Sequence, residues 1–259
     1  MAASTPNAKI VIRRPERHEL ELMADQHVRH LPHGLFPRLG LRFMSRWYAT
    51  FDDSPYGVAY VAELSAERSG PVGFLVGSSD QARHVAWVVQ HRRASLGTAG
   101  ASALALRPAL LFHFLRTRAG RYARRLLRPA GRRPLGGPAA SGSRMPSSIR
   151  VAVLAAVIVS PGARGKGVGA ALLSVFEESG LMSDACRAEL VTLTGPGGAG
   201  RFYEKAGWVE IDRHPSWDGE LVSTFRKDLA ARRRDGTAHD NVPLFKPVSG
   251  TGHATAAGH

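Results

Sequence analysis

The spacing of apolar residues alternates along the first part of the chain between the periods of strands and of helices. A β-branched run at 10–12 predicts a first strand, and apolar residues at helical spacing predict helices over 16–30 and 39–51. Two apolar runs at 58–64 and 72–76 flank a turn and predict an antiparallel hairpin. The predicted opening order is therefore strand, helix, helix, strand, strand.

A second regular part begins after residue 149. The unbroken apolar run from Val151 to Val159 predicts a strand that is covered on both faces. A glycine-rich loop follows this strand. The pattern after the loop predicts a helix, a strand, a short helix and a final hairpin, at 168–179, 188–194, 199–206, 208–214 and 221–227.

Residues 79–148 interrupt this pattern and are predicted to be an inserted helical segment. Helices are predicted over 82–93 and 108–127, with a break from Gly97 to Gly100 between them. The stretch 129–148 is rich in Gly, Pro, Ser and Arg, a composition typical of flexible connectors. The last 30 residues show no periodicity, so 229–259 is predicted to be a flexible tail.

The charge of the chain is concentrated in the insertion. The sequence has 35 Lys and Arg against 21 Asp and Glu, which gives a formal net charge of +14. Residues 81–150 hold 14 of the arginines and no Lys, Asp or Glu. This excess attracts polyanions, but its confinement to one segment means that the fold itself need not bind nucleic acid.

The remaining composition excludes several kinds of site. Cys186 is the single cysteine, so an intrachain disulfide and a cysteine-based zinc cluster are both excluded. His27, His30 and His33 are near one another in sequence, but Pro32 breaks the helical spacing, and no metal site is predicted. The start of the chain lacks the apolar stretch of a secretory signal. We therefore expect a soluble, cytoplasmic protein.

The loop after the apolar strand has the features of an anion site. Glycines at 165, 167 and 169 allow close backbone approach to a ligand, and the following helix offers free amides and the positive end of its dipole. Arg164 and Lys166 add positive charge. These features predict a site for a phosphate or pyrophosphate group of a nucleotide-like cofactor.

Two nucleotide-binding motifs fit this loop poorly. A Walker loop, G-x-x-x-x-G-K-(S/T), requires glycine where Ser160 stands and a hydroxyl residue where Gly167 stands. The dinucleotide pattern G-x-G-x-x-(G/A) is matched by residues 165–170. However, five residues separate its first glycine from the strand, and Glu189 stands at the start of the next strand instead of its end.

The same loop resembles motif A of the GNAT superfamily of N-acetyltransferases, whose signature is (Q/R)-x-x-G-x-(G/A). Arg164, Gly167 and Gly169 match it. Farther along, residues 199–208, which include Phe202 and Tyr203, look like motif B of that family. Both motifs in order, after the opening strand-helix-helix-strand-strand pattern, are specific evidence. The resemblance covers 8–78 and 149–228.

The resemblance implies a fold, a cofactor and a reaction. The fold would be α/β (α+β): a mixed, mostly antiparallel sheet with splayed central strands and helices on both faces, forming one N-acetyltransferase domain over 1–228. Acetyl-CoA would donate its acetyl group directly to a primary amine of a small molecule or protein, without a metal. Tyr203 would be the general acid toward the leaving thiolate. The implied cofactor-binding residues are Val157, Ile158, Val159, Arg164, Gly165, Lys166, Gly167, Val168, Gly169, Ala170 and Phe202.

The sequence departs from the family pattern at two places. Many relatives carry Glu or His on the strand before motif A, whereas residues 153–156 are Val-Leu-Ala-Ala, so no general base is visible there. Glu63, His214 and Asp218 are the remaining candidates for the base. An Asn often stands seven positions before the tyrosine, but Pro196 occupies that place here, which puts one cofactor contact in doubt.

The role of the Arg-rich insertion is open among three interpretations. It is a solvated basic helix, or it shapes or covers the acceptor site and favours acidic or phosphorylated acceptors, or its residues 107–133 contact an anionic membrane or nucleic-acid surface. No specific nucleic-acid recognition is predicted. The alternative to an enzyme is a non-catalytic CoA-binding module that uses this insertion to bind anionic partners.

Overall fold

A seven-stranded mixed sheet organises the residues that the computed structural model describes, namely 9–65, 70–107, 149–216 and 218–230. Its strands, in chain order, are β1 (Ile10–Arg13), β2 (Gly57–Leu64), β3 (Gly73–Ser78), β4 (Val151–Val159), β5 (Arg187–Leu193), β6 (Val209–Pro215) and β7 (Leu221–Asp228). The helices are α1 (Arg17–His30), α2 (Leu35–Arg38), α3 (Leu41–Asp53), α4 (Gln81–His91), α5 (Arg93–Ala105), α6 (Val168–Met182) and α7 (Gly200–Lys205).

The spatial order of the strands is β1-β2-β3-β4-β5-β7-β6. Only the β4–β5 pair is parallel, and the other neighbouring strands run antiparallel. This arrangement confirms the predicted mixed, mostly antiparallel sheet. The predicted hairpins of β2 with β3 and of β6 with β7 are both present.

The two central strands separate part-way along their length. β4 pairs with β5 only from Val151 to Leu154, opposite Arg187 to Leu190. Beyond that point β5 continues to pair with β7 as far as Leu193, while residues 156–159 of β4 pair only with β3. The predicted splay is thus confirmed, and it leaves an edge of β4 backbone facing a gap inside the sheet.

A β-bulge at Ala155 coincides with the start of this gap. Val76 pairs with Ala156 while the next residue, Gly77, pairs with Leu154, so Ala155 is the extra residue on β4. One inserted residue reverses which side chains face each side of a sheet. Accordingly, Leu154 contacts the core beneath α6, whereas Ala156 contacts the opposite core.

Two hydrophobic cores cover the two faces of the sheet. One is built on α6, where Val168, Leu172 and Phe176 pack against β2, β3 and β4. The other is built on α1, α3 and α5, with Met44 and Tyr48 at its centre. Because β4 contributes to both cores, its unbroken apolar sequence is explained by burial from two sides.

The break predicted from Gly97 to Gly100 is wrong, because α5 runs through both glycines. Glycine in a helix interior costs about 1 kcal/mol relative to alanine, but tertiary packing compensates for that cost. Gly100 lies where an added Cβ would be 3.6 Å from the Phe43 ring, and Ala99 and Ala103 are buried against the same core. Small residues on this face therefore let α5 approach α3 closely.

Several predicted features lie outside the described residues. They are the helix over 108–127, the connector over 129–148 and the tail beyond Ala230, as well as the anionic contact surface except for Arg107. In the part of the chain that is described, no helix has the length and apolar character needed to cross a membrane.

Candidate active site

A cleft of about 970 Å³ opens where β4 and β5 separate. One wall is residues 154–159 of β4, which beyond Leu154 do not pair with β5, and the other is the end of β5, residues 190–193. The loop at 163–170 also lines the cleft. The chain around the end of α1, from His27 to Gly34, contributes histidines to the lining. The cleft therefore joins the glycine-rich loop and the separated strands into one continuous space.

The loop presents main-chain amides to this cleft. Gly167 adopts a left-handed conformation with φ of 82° and ψ of −3°, directly before α6 begins at Val168. The first turn of a helix leaves its amides without intrahelical acceptors, and within the described chain those of 167–170 donate to no backbone carbonyl. Arg164, in the same loop, also lines the cleft, and its Nε lies 3.3 Å from the Val159 carbonyl oxygen. This arrangement suits a phosphate or pyrophosphate.

The two sequence motifs meet at the start of α6. A Cβ added to Gly169 would lie 3.0 Å from Cζ of Phe202, so the phenyl ring packs directly against the first turn of the helix. Both residues line the cleft. Glycine at 169 is thus explained by the close approach of an aromatic ring. Of the predicted cofactor-binding residues, all except Lys166 line the cleft.

Tyr203 lines the cleft from α7 and is 6% exposed. Its ring packs near Phe202, Trp208 and Phe225, at centroid distances of 5.2, 6.1 and 5.9 Å. Burial raises the pKa of its hydroxyl above the ordinary value of a phenol. The side chain therefore stays protonated near neutral pH, which a proton donor requires.

The three candidate bases have different surroundings. His214 lines the cleft, and its Nδ1 lies 3.0 Å from Asp212. Glu63 is not among the residues that line the cleft, and its carboxylate binds Arg13 with Nε–Oε1 and Nη2–Oε1 distances of 3.0 and 2.5 Å. Among these three side chains, His214 alone combines a titratable group with access to the cleft.

Asp218 links the β6–β7 turn to the chain that follows α1. Its carboxylate accepts hydrogen bonds from the Ser216 hydroxyl, from the Gly34 amide at 2.9 Å and from Arg38 at 3.2 Å. Burial alone would raise the pKa of Asp218, but these donors and the Arg38 charge lower it overall. A carboxylate held in this way is a weak base, and its position favours a structural role.

His27, His30 and His33 were not predicted to be part of the site. His27 occupies the buried face of α1, at helical spacing from Leu20, Met23 and Ala24, and lines the cleft together with His30 and His33. The helical pattern places His27 on the inner face, but the contact with β4 depends on tertiary packing. Within the described residues, no three His, Cys, Asp or Glu side chains gather as a metal site requires.

A comparison with protein families agrees with the motif geometry. The family model described as an acetyltransferase (GNAT) domain matches residues 135–210, which include the glycine loop, Phe202 and Tyr203. Over these matched residues the chain is similar to GNAT acetyltransferases. The matched segment spans β4, β5, α6 and α7, the elements that surround the cleft.

Solved GNAT structures are similar to the chain at low sequence identity. The spermidine/spermine N-acetyltransferase SpeG of Vibrio cholerae is 11% identical over 89% of this chain and 98% of its own, with a TM-score of 0.48. The ribosomal-protein-S18-alanine N-acetyltransferase of Escherichia coli is 12% identical over 85% and 94%, with a TM-score of 0.45. Arabidopsis thaliana NAA60, in complex with acetyl-CoA, is 11% identical over 85% and 98%, with a TM-score of 0.49. No curated protein gives a significant sequence match.

Proposed function

We propose that the domain transfers an acetyl group from acetyl-CoA to a primary amine. The observation that carries this proposal is that the unpaired backbone of 155–159 and the free amides of 167–170 open into one cleft. The amides suit the pyrophosphate, and the unpaired strand edge suits the amide groups of pantetheine. The two features therefore offer hydrogen-bond partners for the pyrophosphate and for the pantetheine of coenzyme A.

The proposed reaction is a direct attack of the amine on the thioester. The ammonium first loses a proton, because only the neutral amine has a lone pair. The nitrogen then bonds to the carbonyl carbon, a backbone amide of β4 stabilises the oxyanion, and the C–S bond breaks. The Tyr203 hydroxyl gives its proton to the thiolate, the second amine proton passes to His214 or to water, and the Tyr203 phenolate then regains a proton from the same source.

The test combines thiol release with coenzyme A binding. Wild-type protein is incubated with acetyl-CoA and a panel of amines, free thiol is followed by absorbance, and acetylated products are identified by mass spectrometry. Titration calorimetry measures coenzyme A binding separately. Binding without thiol release for any amine would favour the non-catalytic alternative, and absence of binding would contradict the proposal altogether.

The acid role of Tyr203 has its own test. General acid catalysis contributes roughly 10²–10⁴-fold to a rate, so Tyr203→Phe should lower kcat about 100-fold or more with little change in the KM for acetyl-CoA. Tyr60→Phe is the matched control, because the Tyr60 hydroxyl lies 3.2 Å from Ser179 Oγ and outside the cleft lining. Turnover by Tyr203→Phe at the wild-type rate would exclude the acid role.

A further inference from the structure

His27 is held by a buried hydrogen bond on one side of its ring. Its Nδ1 lies 2.7 Å from the hydroxyl oxygen of Tyr48. Tyr48 is 0% exposed and His27 is 7% exposed. The edges of the Trp47 and Tyr48 rings also contact the imidazole, at centroid distances of 6.1 and 5.7 Å. The imidazole therefore has one fixed orientation, set by α3.

The buried partner determines which ring nitrogen carries the hydrogen. Burial raises the pKa of Tyr48 well above its ordinary value, so the hydroxyl keeps its proton. Within the described residues the hydroxyl has no hydrogen-bond partner other than His27, and a buried O–H without an acceptor is unfavourable. Tyr48 therefore donates to Nδ1. Burial also lowers the pKa of His27 to about 4, so the ring is neutral near pH 7 and carries its hydrogen on Nε2.

The Nε2–H group has access to the cleft. His27 is one of the lining residues. Among the described residues, Nε2 of His27 has no hydrogen-bond partner. The fully buried side-chain nitrogen and oxygen atoms without a partner do not include this Nε2, so it is not fully buried. The nitrogen consequently reaches accessible space and presents a hydrogen-bond donor there.

The surroundings of this donor suit an electron-rich group. His30, His33 and His214 line the same cleft. The neighbouring carboxylate of Asp218 is already bound by three donors, and no lining residue within the described ranges is Asp or Glu. Residues 108–148 hold nine arginines and no acidic residue, so this segment contributes no carboxylate wherever it lies.

We propose that the acceptor is an amine that carries an anionic oxygen group, a carboxylate or a phosphate, and that His27 Nε2–H donates a hydrogen bond to that group. The inference rests on the proposed acetyl transfer and narrows its substrate class. A polyamine entering this cleft would lose hydration from its additional ammonium groups without meeting a partner charge. An anionic group instead meets a hydrogen-bond donor and, among the described lining residues, no opposing carboxylate.

Paired amines that differ only in the anionic group test the substrate class. Glycine is compared with glycinamide, and glucosamine 6-phosphate with glucosamine, with spermidine as the polycation. Thiol release from acetyl-CoA gives kcat/KM for each amine at pH 8 and low salt. We expect at least one anionic member to exceed its uncharged counterpart about tenfold or more, with the difference decreasing as salt is added. The two pairs distinguish a carboxylate from a phosphate.

His27→Asn tests the residue assignment. The asparagine amide can keep the polar contact with Tyr48 where Nδ1 stood, but it has no atom in the place of Nε2. We expect KM for the preferred anionic amine to rise about tenfold or more, because a hydrogen bond to a charged group is lost. KM for acetyl-CoA and for the uncharged counterpart should stay within twofold. His18→Asn, at an exposed position of α1 outside the cleft, is the control.

The outcomes separate this inference from the proposed function. Highest turnover of spermidine, or equal turnover within each pair, would overturn the inference while leaving acetyl transfer intact. If His27→Asn lowered kcat/KM equally for the anionic and the uncharged amine, the assignment of His27 would also be overturned, since a purely structural defect affects both amines. Failure of every amine to release thiol would remove the proposed function and this inference together.

Discussion

The strongest test of the anion site is the replacement of Gly167 by alanine. Gly167 has φ of 82°, in the left-handed region, and a Cβ there would meet only Ile10 Cδ1, at the ordinary contact distance of 3.7 Å. The substitution thus adds backbone strain without a clash. For a residue other than glycine, this conformation costs roughly 1–2 kcal/mol. Because 164–167 are exposed, the free loop can relax and avoid most of that strain.

The cost then appears when coenzyme A binds. The loop must return to the left-handed conformation to aim its amides at the pyrophosphate, so binding weakens by about 1–2 kcal/mol, which is roughly a 5- to 30-fold increase in Kd. Titration calorimetry with coenzyme A measures the change, and urea unfolding confirms that the variant is folded. We expect the decrease in the free energy of unfolding to be smaller than the decrease in the free energy of coenzyme A binding.

Gly162→Ala provides the matched control in the same loop. Gly162 does not have a positive φ, and an added Cβ would meet nothing within 4 Å. We expect its Kd for coenzyme A to remain within twofold of the wild type. If Gly167→Ala also bound coenzyme A within twofold of the wild type, the left-handed turn would not be needed for binding. The assignment of the pyrophosphate to these amides would then be refuted.

Two further predictions concern the framework of the site. Gly77→Ala should lower the free energy of unfolding by about 1–3 kcal/mol, because its Cβ would lie 2.6 Å from the Val153 carbonyl oxygen and 2.9 Å from the Phe176 ring; a urea midpoint equal to that of the wild type would contradict the packing at the bulge. Asp218 has a lowered pKa when folded, so its stabilisation is present above the unfolded value of about 3.9 and is lost as pH falls through the folded pKa. The stability difference between wild type and Asp218→Asn should therefore shrink from pH 5 to pH 2 in urea titrations, and a constant difference would exclude a titrating role.

Local sequence determined most of the elements around the cleft. The apolar run of β4, the small residues of the loop and the apolar face of α6 are adjacent in the chain, so their physical consequences could be predicted without long-range contacts. The same holds for Phe202 and Tyr203, whose spacing from the loop matched a known motif. The failed prediction at Gly97 and Gly100 shows the limit of local reasoning, since close packing against Phe43 outweighs the helix-breaking tendency of glycine.

The end of the cleft that the histidines line was decided by tertiary structure. The bulge at Ala155 comes from pairing with β3, and nothing in an unbroken apolar run marks the extra residue. His27 is aimed by Tyr48, which is 21 residues away, and Asp218 reaches the Gly34 amide across 184 residues. The sequence by itself determined the glycine-rich loop, because the proposed donor site there uses backbone groups of consecutive residues. The proposed acceptor side depends on side chains from distant segments, and only the folded chain brings those together.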